Sequence, residues 1–573
     1  MTPSQVIVLA IPVFLLLICA ELALSVARGK RVYRLNDTLS SMSLGVLSQL
    51  SGLFTAALYI GIYSAVYDAV ALVPNPAFWS TWYGALLALV FYDFCYYWLH
   101  RAGHEVAIFW AAHVVHHQSQ AYNLSTALRQ SGSGHLLGWV FYLPMAVAGV
   151  PPLVFGIVAL VDLLYQFWVH TELVGKLGWF DRVFCAPSNH RVHHAVNDAY
   201  LDRNYGGILI VWDRLFGSFR EEREPCIYGT RSPLRSWDPL WANAEVYWTL
   251  CKDAWRARSW ADKVRVWFKP PGWRPADVAR AWPKPDFDLA QVRTFNPPLG
   301  RAATWFAALQ FAVLLTGVLA VLWFAGSWSG LRTGISSAAL VACYWALGAQ
   351  LQGRLSLPAT LLVQCAALAT ATSVLGLQNL HYLFKPLTMA LAVLLVLQRA
   401  WASGRPQRGD WLLGAALLAS LAGDSFLMLP GDWFLPGLGA FLVAHLFYLA
   451  LFRHGQGWFP SRRALAATLG FAAAMLAFLW NGLADPVLRL AVAAYVAVIA
   501  LMAAQALGRA SVLRDTGSTA VALGACIFMA SDTLIAINRF VLPIPLASLW
   551  ILSSYYTAQI LIVLHAWQRP GAR

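Results

Sequence analysis

Long apolar runs recur along this chain, and they constrain its fold more than any other feature. A run such as residues 6–27 or 487–507 has the roughly 20 residues that a helix needs to cross the hydrocarbon core of a bilayer. Hydrophobic residues make up 59% of the chain and charged residues 12%, whereas about a quarter of a soluble domain is charged. The sequence therefore predicts an all-α, polytopic, integral membrane protein.

The formal net charge of +14 is explained by short basic segments that follow alternate apolar runs. Basic residues in short loops mark the cytoplasmic side of a membrane, so this charge does not indicate a nucleic-acid partner. If the chain crosses the membrane at each run, all of these segments fall on one, cytoplasmic side. They are residues 28–34, 398–408, 452–463, 508–514 and 567–573.

Residues 1–352 are predicted to form one domain, a helical bundle with a cytoplasmic cap. An apolar section over 135–170 is interrupted by the adjacent prolines Pro151 and Pro152. This break predicts a hairpin that enters and leaves the membrane on one face. The only long polar section ends in a stretch rich in Trp, Arg and Pro, and we expect residues 230–300 to form the cap with an interfacial helix. The predicted spans of this domain are 6–27, 42–67, 82–99, 303–325 and 335–351.

Residues 353–573 are predicted to form a second domain, an eight-helix transmembrane bundle. Eight apolar runs follow one another here, and no internal repeat relates them to the first block. The boundary between the two domains is therefore expected near residue 352. The eight runs are 358–375, 383–397, 411–429, 434–452, 464–479, 487–507, 520–540 and 545–567.

Histidines form three clusters, with the spacings HxxxH, HxxHH and HxxHH, although the chain has only 14 of them. Residues three and four apart share one face of a helix. A lone histidine is more often a packed side chain than a ligand, but eight in three such patterns indicate metal binding on the cytoplasmic side. Imidazole suits iron, zinc, copper and nickel, and one zinc ion usually takes four ligands, so two metal ions are expected. The cluster residues are His100, His104, His113, His116, His117, His190, His193 and His194.

His170 closes the apolar hairpin in the sequence QFWVHTEL and returns to the same face, so we add it to the candidate ligands. His135 falls outside every pattern and is expected to be structural. The clusters contain no Glu-x-x-His pattern, which excludes the ferritin-like arrangement of ligands.

The sequence around the clusters resembles a known family. The segments YDFCYYWLHRAGHE, YNLSTALRQS, LLYQFWVHTE and NHRVHHAVNDAYLDRNYGGILIVWDRLFGSF resemble the alkylglycerol monooxygenase branch of the fatty acid hydroxylase/sterol desaturase superfamily. The resemblance covers about residues 93–220 and implies that the nine histidines hold two iron ions. Imidazole ligands also hold zinc, so zinc can replace iron in a purified form.

The resemblance also implies a cofactor and a reaction. Glu105 matches a glutamate that this family ties to a reduced, tetrahydrobiopterin-like pterin, although a solvated acid at a helix end explains it equally well. Asp93 lies on the helical face of His100 and is expected to orient a ligand, whereas Asn189 stands where relatives often have histidine. The implied reaction uses O2 and an external electron donor to hydroxylate the ether-bearing carbon of an alkylglycerol, and the hemiacetal then releases a fatty aldehyde.

Few polar residues interrupt the second block, and ionisable groups inside a bilayer are functional candidates because they are costly. Lys385, Asp424 and Asp532 lie toward the same end of their predicted spans, and His445 and Tyr448 accompany them. A structural ion pair between helices is the alternative explanation. Two carboxyl groups in one pocket suit general acid and base catalysis, and we take Asp424 and Asp532 as that pair without assigning the roles.

The segments KPLTM, GDSFLM, HLFY and SDTLIA resemble the lysoplasmalogenase (YhhN-type) family over about residues 355–570. The resemblance implies hydrolysis of the vinyl ether of lysoplasmalogens, with Lys385 and His445 as electrostatic or substrate contacts. The two halves together predict a fusion enzyme that degrades ether lipids of the membrane.

Alternative interpretations remain open at this point. The histidine clusters are also compatible with a hydroxylase or desaturase of sterols or fatty acyl chains. The second domain is also compatible with a non-catalytic lipid-binding or transport module whose carboxylates carry protons. A purely structural membrane scaffold is a third alternative, which bound iron would argue against.

Overall fold

The structure is a computed structural model that describes residues 2–402, 404 and 406–566. Over these residues the secondary structure is helical, with two isolated β-bridges and no strand. The predicted all-α membrane protein is confirmed. The predicted basic segment 567–573 lies outside the described residues, as do two positions of the segment 398–408.

The first sixteen α-helices run from the N-terminus to the end of the first span after the predicted cap. Short 3₁₀ turns also form at Gly138–Tyr142 and Leu289–Gln291. The helices are α1 (Pro3–Ala27), α2 (Leu35–Val70), α3 (Pro76–Trp79), α4 (Trp82–Glu105), α5 (Ala107–His117), α6 (Leu124–Ala127), α7 (Gly134–Leu137), α8 (Leu143–Ala148), α9 (Pro152–Trp168), α10 (Phe180–Val183), α11 (Pro187–His194), α12 (Val211–Leu215), α13 (Pro239–Arg256), α14 (Trp260–Phe268), α15 (Ala276–Ala281) and α16 (Arg301–Phe324).

Nine longer helices complete the described chain, with a 3₁₀ turn at Trp480–Gly482. The helices are α17 (Gly330–Leu351), α18 (Leu357–Val374), α19 (Gln378–Ala402), α20 (Arg408–Phe426), α21 (Phe434–Arg453), α22 (Arg462–Leu479), α23 (Pro486–Leu513), α24 (Thr516–Phe540) and α25 (Ala547–His565).

Eleven helices within the described residues are long and apolar enough to cross a membrane. They include seven of the eight predicted runs of the second block. The eighth, α20, and the predicted third span, α4, form helices as expected but are not among the eleven. Both carry buried carboxylates, which lower their average hydropathy.

The chain divides into two compact units. The first contains Met1–Gly330 and Leu347–Arg354, and the second contains Leu331–Ala346 and Leu355–Arg573. Most of α17 therefore groups with the second unit, whereas its last turn groups with the first. The predicted boundary near residue 352 separates two functional domains, not these two compact units, and it stays a prediction.

In the first unit, short helices and loops place the histidine clusters together. Helix α4 ends at Glu105, and extended backbone at Val106 separates it from α5, which packs back against α4. The predicted hairpin turns at Gly149, whose φ is +91°, and a Cβ there would lie 2.3 Å from the Val73 carbonyl oxygen. Only glycine fits this turn, so the apolar section reverses and α9 also packs against α4.

In the second unit, α18 to α25 form a bundle. Each helix packs against the next in the series α18 to α21, α23 packs against α21, α22 and α24, and α25 closes the bundle against α24 and α18. The core is built from small and aromatic side chains, such as Ala416, Ala503 and Phe528, all fully buried. Small residues allow close approach of helix backbones in a membrane.

Candidate metal centre and carboxylate site

The nine predicted histidine ligands converge in two groups in the first unit. Each cluster with the spacing HxxHH is divided between the two groups. In both clusters the side chains at i and i+4 point to one group, and the side chain at i+3 points to the other. The first group is His100, His104, His113, His117 and His193, and the second is His116, His170, His190 and His194.

The ring nitrogens of the first group lie at the spacing of ligands around one ion. The Nε2 atom of His113 is 3.1 Å from that of His100 and 3.0 Å from that of His117. With a metal–nitrogen bond of about 2.1 Å, two ligands at a right angle place their nitrogens about 3.0 Å apart. The observed distances therefore match ligands that share a metal ion.

The second group repeats this spacing. The Nε2 atom of His170 is 3.1 Å from those of His116 and His190, and His190 Nε2 is 3.2 Å from His194 Nε2. The rings of His117 and His194 stack with their centroids 4.3 Å apart, so the two groups adjoin. All members of this group are buried.

Partners outside each group fix the orientation of the rings. The Nδ1 atoms of four histidines donate to backbone carbonyl oxygens 2.7–3.0 Å away, which leaves Nε2 to face the group centre. Such outer hydrogen bonds set the tautomer of metal-binding histidines. The four pairs are His100 to Tyr205, His116 to Arg129, His170 to Gln166 and His193 to Arg203.

The donor set fits two iron ions. The Nε2 atoms of His104 and His193 are buried without a hydrogen-bond partner, and buried polar atoms rarely stay unpaired. Burial lowers the pKa of His116 to about 4 and holds the pKa of His190 well below its usual value. These two rings are therefore neutral near pH 7, the form in which imidazole binds a metal.

One loop, residues 202–210, supplies several of these outer partners and is itself held by buried carboxylates. Asp213 accepts hydrogen bonds from the amides of Tyr205 and Gly206, each 2.7 Å long. Asp93 accepts from the amides of Ile208 and Leu209 at 2.7 and 3.0 Å. These contacts position the Tyr205 carbonyl that orients His100.

The close approach of this loop to α4 requires glycine. A Cβ at position 207 would lie 2.9 Å from one carboxylate oxygen of Asp93 and 2.9 Å from one of Asp162. Asp93 thus acts on the loop, and its hydrogen bonds reach no histidine ring. The expected role of Asp93 in orienting a ligand therefore runs through this loop and its Tyr205 carbonyl.

Two buried charged residues outside the predicted set hold the second group in place. The Arg129 side chain is 1% exposed and donates from Nε to the Val115 carbonyl oxygen at 2.7 Å. Glu21 on α1 accepts from the Leu124 amide and from the hydroxyl of Thr171, the neighbour of His170. Sequence reasoning missed both, although a glutamate inside the apolar run 6–27 was a usable signal.

Two further predicted positions lie beside the groups without joining them. Asn189 caps α11, since its side-chain oxygen accepts from the Ala186 amide at 3.0 Å, so this position is structural. Glu105 ends α4 with its carboxylate 47% exposed and 2.9 Å from Arg101 Nε. Its expected contact with a pterin stays a prediction.

In the second unit, the four predicted catalytic residues lie in two adjacent clusters. In the first, Lys385 Nζ lies 3.4 Å from an oxygen of Asp424, whose other oxygen accepts a 2.6 Å hydrogen bond from the Tyr555 hydroxyl. Both charged side chains are less than 10% exposed. The two side chains therefore form an ion pair in the interior of the bundle.

The second cluster joins His445, Tyr495 and Asp532. The Tyr495 hydroxyl donates to Asp532 Oδ2, and His445 Nε2 lies 2.8 Å from that hydroxyl and 3.4 Å from the same carboxylate oxygen. Asp424 and Asp532 lie within electrostatic range of each other. The Phe528 ring lies between the clusters, with its centroid 4.7 Å from that of His445 and 5.4 Å from that of Tyr555.

Sequence reasoning missed Tyr495 and Tyr555, because a tyrosine within a span does not stand out in a chain with 21 of them. It considered Tyr448 instead, whose hydroxyl donates to Gln559 rather than to a carboxylate. A hydrogen bond from a tyrosine to a buried carboxyl group can be recognised only once the packing of the helices is known.

A partly open cavity adjoins the second cluster. Its walls are aliphatic and aromatic side chains of α21 to α24 and the end of α20, and Asp532 is the only carboxylate among its described lining residues. Apolar walls with a few polar groups are typical of a ligand site.

Known proteins resemble both units. The fatty acid hydroxylase family matches residues 85–218, and the YhhN family matches residues 380–566. Alkylglycerol monooxygenase of Homo sapiens is 41% identical over 314 residues, which cover 53% of this chain and 68% of that protein. The Danio rerio alkylglycerol monooxygenase is 37% identical over 320 residues, with the same coverage of 53% and 68%.

The second unit has its own relatives. Lysoplasmalogenase TMEM86B of Mus musculus is 35% identical over 178 residues, which cover 30% of this chain and 71% of that protein. No solved structure matches the chain. The chain therefore belongs to the fatty acid hydroxylase family with the alkylglycerol monooxygenases through its N-terminal part, and to the YhhN family with the lysoplasmalogenases through its C-terminal part.

Proposed function

We propose that this protein is a membrane enzyme of ether-lipid breakdown with two ether-cleaving sites. Residues 1–352 cleave saturated alkyl ethers of glycerolipids with O2, and residues 353–573 hydrolyse the vinyl ether of lysoplasmalogens. The observation that carries the proposal is the presence, in one chain, of regions similar to alkylglycerol monooxygenase and to lysoplasmalogenase. Both reactions release a fatty aldehyde, so a single chain serves one metabolic purpose.

In the first site, the two histidine groups hold one iron ion each. The converging Nε2 atoms and the unpaired nitrogens of His104 and His193 support this assignment. Bound ferrous iron would supply the activation of O2 and the insertion of one oxygen atom into a C–H bond. The protein's own part is to bring the nine rings together, to orient four of them through backbone carbonyls and to exclude water by burial.

The ether carbon of the alkyl chain becomes hydroxylated at this site. The product is a hemiacetal, which loses a proton from its new hydroxyl group and gives one to the ether oxygen. It thereby separates into a fatty aldehyde and a glycerol hydroxyl. We place the site on the cytoplasmic side, because the basic residues 28–34 follow α1 and mark that side of a membrane.

Electrons reach the first site from an external donor, and we propose a reduced pterin bound at Glu105. Its half-exposed carboxylate lies one residue from His104 and is accessible to a ligand. Glu105→Gln should raise the KM for the pterin several-fold while the iron content and the KM for the lipid stay unchanged. Equal KM values for the pterin in both proteins would contradict this role.

In the second site, Asp424, Asp532, Lys385 and His445 act on the vinyl ether. A carboxyl group gives a proton to the outer vinyl carbon, and an oxocarbenium ion forms at the carbon that bears the oxygen. Water adds there and loses a proton, and the resulting hemiacetal separates as in the first site. The scheme is a hydrolysis with acid and base roles for carboxyl groups, as in glycoside hydrolysis.

The test is an aldehyde assay on purified protein in detergent. A 1-O-alkylglycerol and a lysoplasmalogen are supplied separately, each with and without O2 and reduced pterin. We expect aldehyde from the alkyl ether only with O2 and pterin, and from the vinyl ether without either. His113→Ala should remove the first activity alone, and the double variant Asp424→Asn/Asp532→Asn the second alone.

Metal analysis completes the test. Protein that holds two iron ions per chain and releases no aldehyde from either lipid would contradict the ether-lipid proposal. A hydroxylated sterol or fatty acyl chain as the product would instead assign the first site to another branch of its family.

A further inference from the structure

The proposed hydrolysis leaves open which carboxyl group delivers the proton, and the two candidates differ in their surroundings. Asp424 is 3% exposed and contacts the Lys385 ammonium at 3.4 Å. It also accepts the hydrogen bond from the Tyr555 hydroxyl. A carboxylate that is neutralised by a buried ammonium is a poor proton donor, because protonation would leave that ammonium unpaired in a dry environment.

Asp532 has no such partner. Among the described residues, no lysine or arginine lies within 4 Å of its carboxyl group, and its polar contacts are Tyr495 and His445. Both contacts fall on Oδ2, which leaves Oδ1 as the atom that can pass a proton to a substrate. No positively charged side chain therefore competes with a proton at this carboxyl group.

Asp532 is also the carboxyl group that meets the cavity. Its side chain is 13% exposed, against 4% for Asp424, and it lines this apolar space. Asp424 does not line this space. The other walls are formed by side chains such as Phe434, Met475 and Ala536, which suit one aliphatic chain.

We propose that Asp532 is the proton donor of the second site, that Tyr495 and His445 position it, and that the apolar cavity binds the hydrocarbon chain of the substrate. This inference rests on the proposed vinyl ether hydrolysis and assigns the roles within it. Lys385 and Asp424 form a fixed ion pair beside the reacting atoms.

The step balances with water as the only co-substrate. The proton leaves Asp532 Oδ1 and forms a C–H bond at the outer vinyl carbon, while the π electrons of the double bond supply that bond. The positive charge is shared by the ether oxygen and its carbon. Asp532, now a carboxylate, takes a proton from the attacking water, so the enzyme returns to its starting state and nothing is oxidised or reduced.

Tyr495 and His445 hold the donor in place. His445 is fully buried, and its Nδ1 atom has no hydrogen-bond partner among the described residues. A neutral ring with its proton on Nε2 leaves Nδ1 as an unpaired acceptor, which costs less than an unpaired N–H group. The His445 Nε2–H therefore donates to the Tyr495 hydroxyl oxygen, and Tyr495 donates to Asp532.

The kinetic test compares variants of both carboxyl groups on lysoplasmalogen. Asp532→Asn should lower kcat at least about 100-fold, the usual contribution of a general acid. The paired variant Lys385→Met/Asp424→Leu should lower kcat by less than that. Tyr495→Phe keeps the ring that lines the cavity and removes only the hydroxyl that contacts Asp532, so it should lower kcat and leave KM unchanged. Equal losses in the Asp532 and paired variants, or full activity of Asp532→Asn, would overturn the assignment.

A labelling test reports on the cavity independently of catalysis. A lysolipid with a photoreactive group near the end of its chain should label peptides of α22 to α24 in the full-length protein, and equally in Asp532→Asn. Ala536→Phe, inside the cavity, should abolish this labelling. Ala530→Phe on the same helix is exposed and outside the cavity, and it should leave the labelling unchanged.

The two tests separate the possible failures. A wild-type protein that is labelled but releases no aldehyde contradicts the proposed hydrolysis and, with it, the role of Asp532. A wild-type protein that cleaves while Asp532→Asn cleaves equally well contradicts the role alone. Labelling that Ala536→Phe does not change contradicts the assignment of the cavity.

Discussion

The histidine site of the first unit and the carboxylate site of the second unit achieve burial of polar groups in opposite ways. The first gathers nine imidazole rings, most of them from local clusters, and loops supply many of their outer partners. The second uses few ionisable groups, each from a different helix. It pairs residues 39 positions apart, as in Lys385 and Asp424, or 87 positions apart, as in His445 and Asp532. A metal site needs many ligands close in space, whereas an acid site needs single charges in exact surroundings.

The difference also concerns what each site demands of its surroundings. Neutral imidazoles can be buried together without a counter-charge, provided that each ring has a partner for its second nitrogen. A buried carboxylate without a cation either takes up a proton or destabilises the fold. The second unit contains one carboxylate of each kind, Asp424 with Lys385 and Asp532 without a cation.

The largest effect should come from the removal of a histidine ligand. His190→Ala takes away a nitrogen 3.1 Å from His170 Nε2. We expect loss of bound iron and a fall in alkyl ether cleavage of more than about 100-fold. This exceeds the effect of removing a residue that only orients a metal ligand. Vinyl ether cleavage should not change. His135→Ala, outside both groups, is the matched control. Full iron content in His190→Ala would contradict its role as a metal ligand.

The buried ion pair should give the next largest effect, on stability rather than on metal content. Lys385→Met leaves Asp424 buried without its cation, and we expect a loss of about 3–5 kcal/mol in the free energy of unfolding of the second unit. Denaturant unfolding in detergent measures it. The paired variant Lys385→Met/Asp424→Leu should recover most of the loss. Equal stability of the single variant and the wild type would show that the pair is not formed.

A smaller effect is expected from the carboxylate that holds the loop 202–210. Asp213 is fully buried and accepts two amide hydrogen bonds beside the carbonyl that orients His100. Asp213→Asn should lower iron affinity about 10–100-fold, as expected for an outer partner of a metal ligand. Titration with ferrous iron measures the change. Asp198→Asn, whose side chain is 85% exposed, should behave as wild type.

The smallest effect should come from an exposed partner of the same site. Asp202 Oδ1 lies 3.3 Å from His104 Nδ1, but its carboxylate is 46% exposed. Exposed charge pairs contribute about 0–1 kcal/mol, so Asp202→Asn should change iron affinity by less than about fivefold. A change as large as that of Asp213→Asn would mean that exposure does not separate the two kinds of outer partner.

Local patterns made the histidine site predictable. The spacings HxxxH and HxxHH fall within one or two helical turns, so they named eight of the nine side chains that the structure brings together, and the end of the apolar hairpin named His170. Their division into groups of five and four was not predictable, because it depends on how α5 and α11 rotate against α4. Arg129 and Glu21 were missed for the same reason, since their partners lie on other segments.

The sequence by itself determined the membrane-helical class, both family memberships, and the candidate residues of each site. Apolar length and short-range spacing express these properties directly, and they survive without knowledge of the packing. Only the tertiary structure decided which carboxylate meets Lys385, which one meets Tyr495 and the cavity, and which carbonyls orient the histidine rings. The physical reason is that these contacts join residues far apart in the chain, and helix packing alone sets the distances between them.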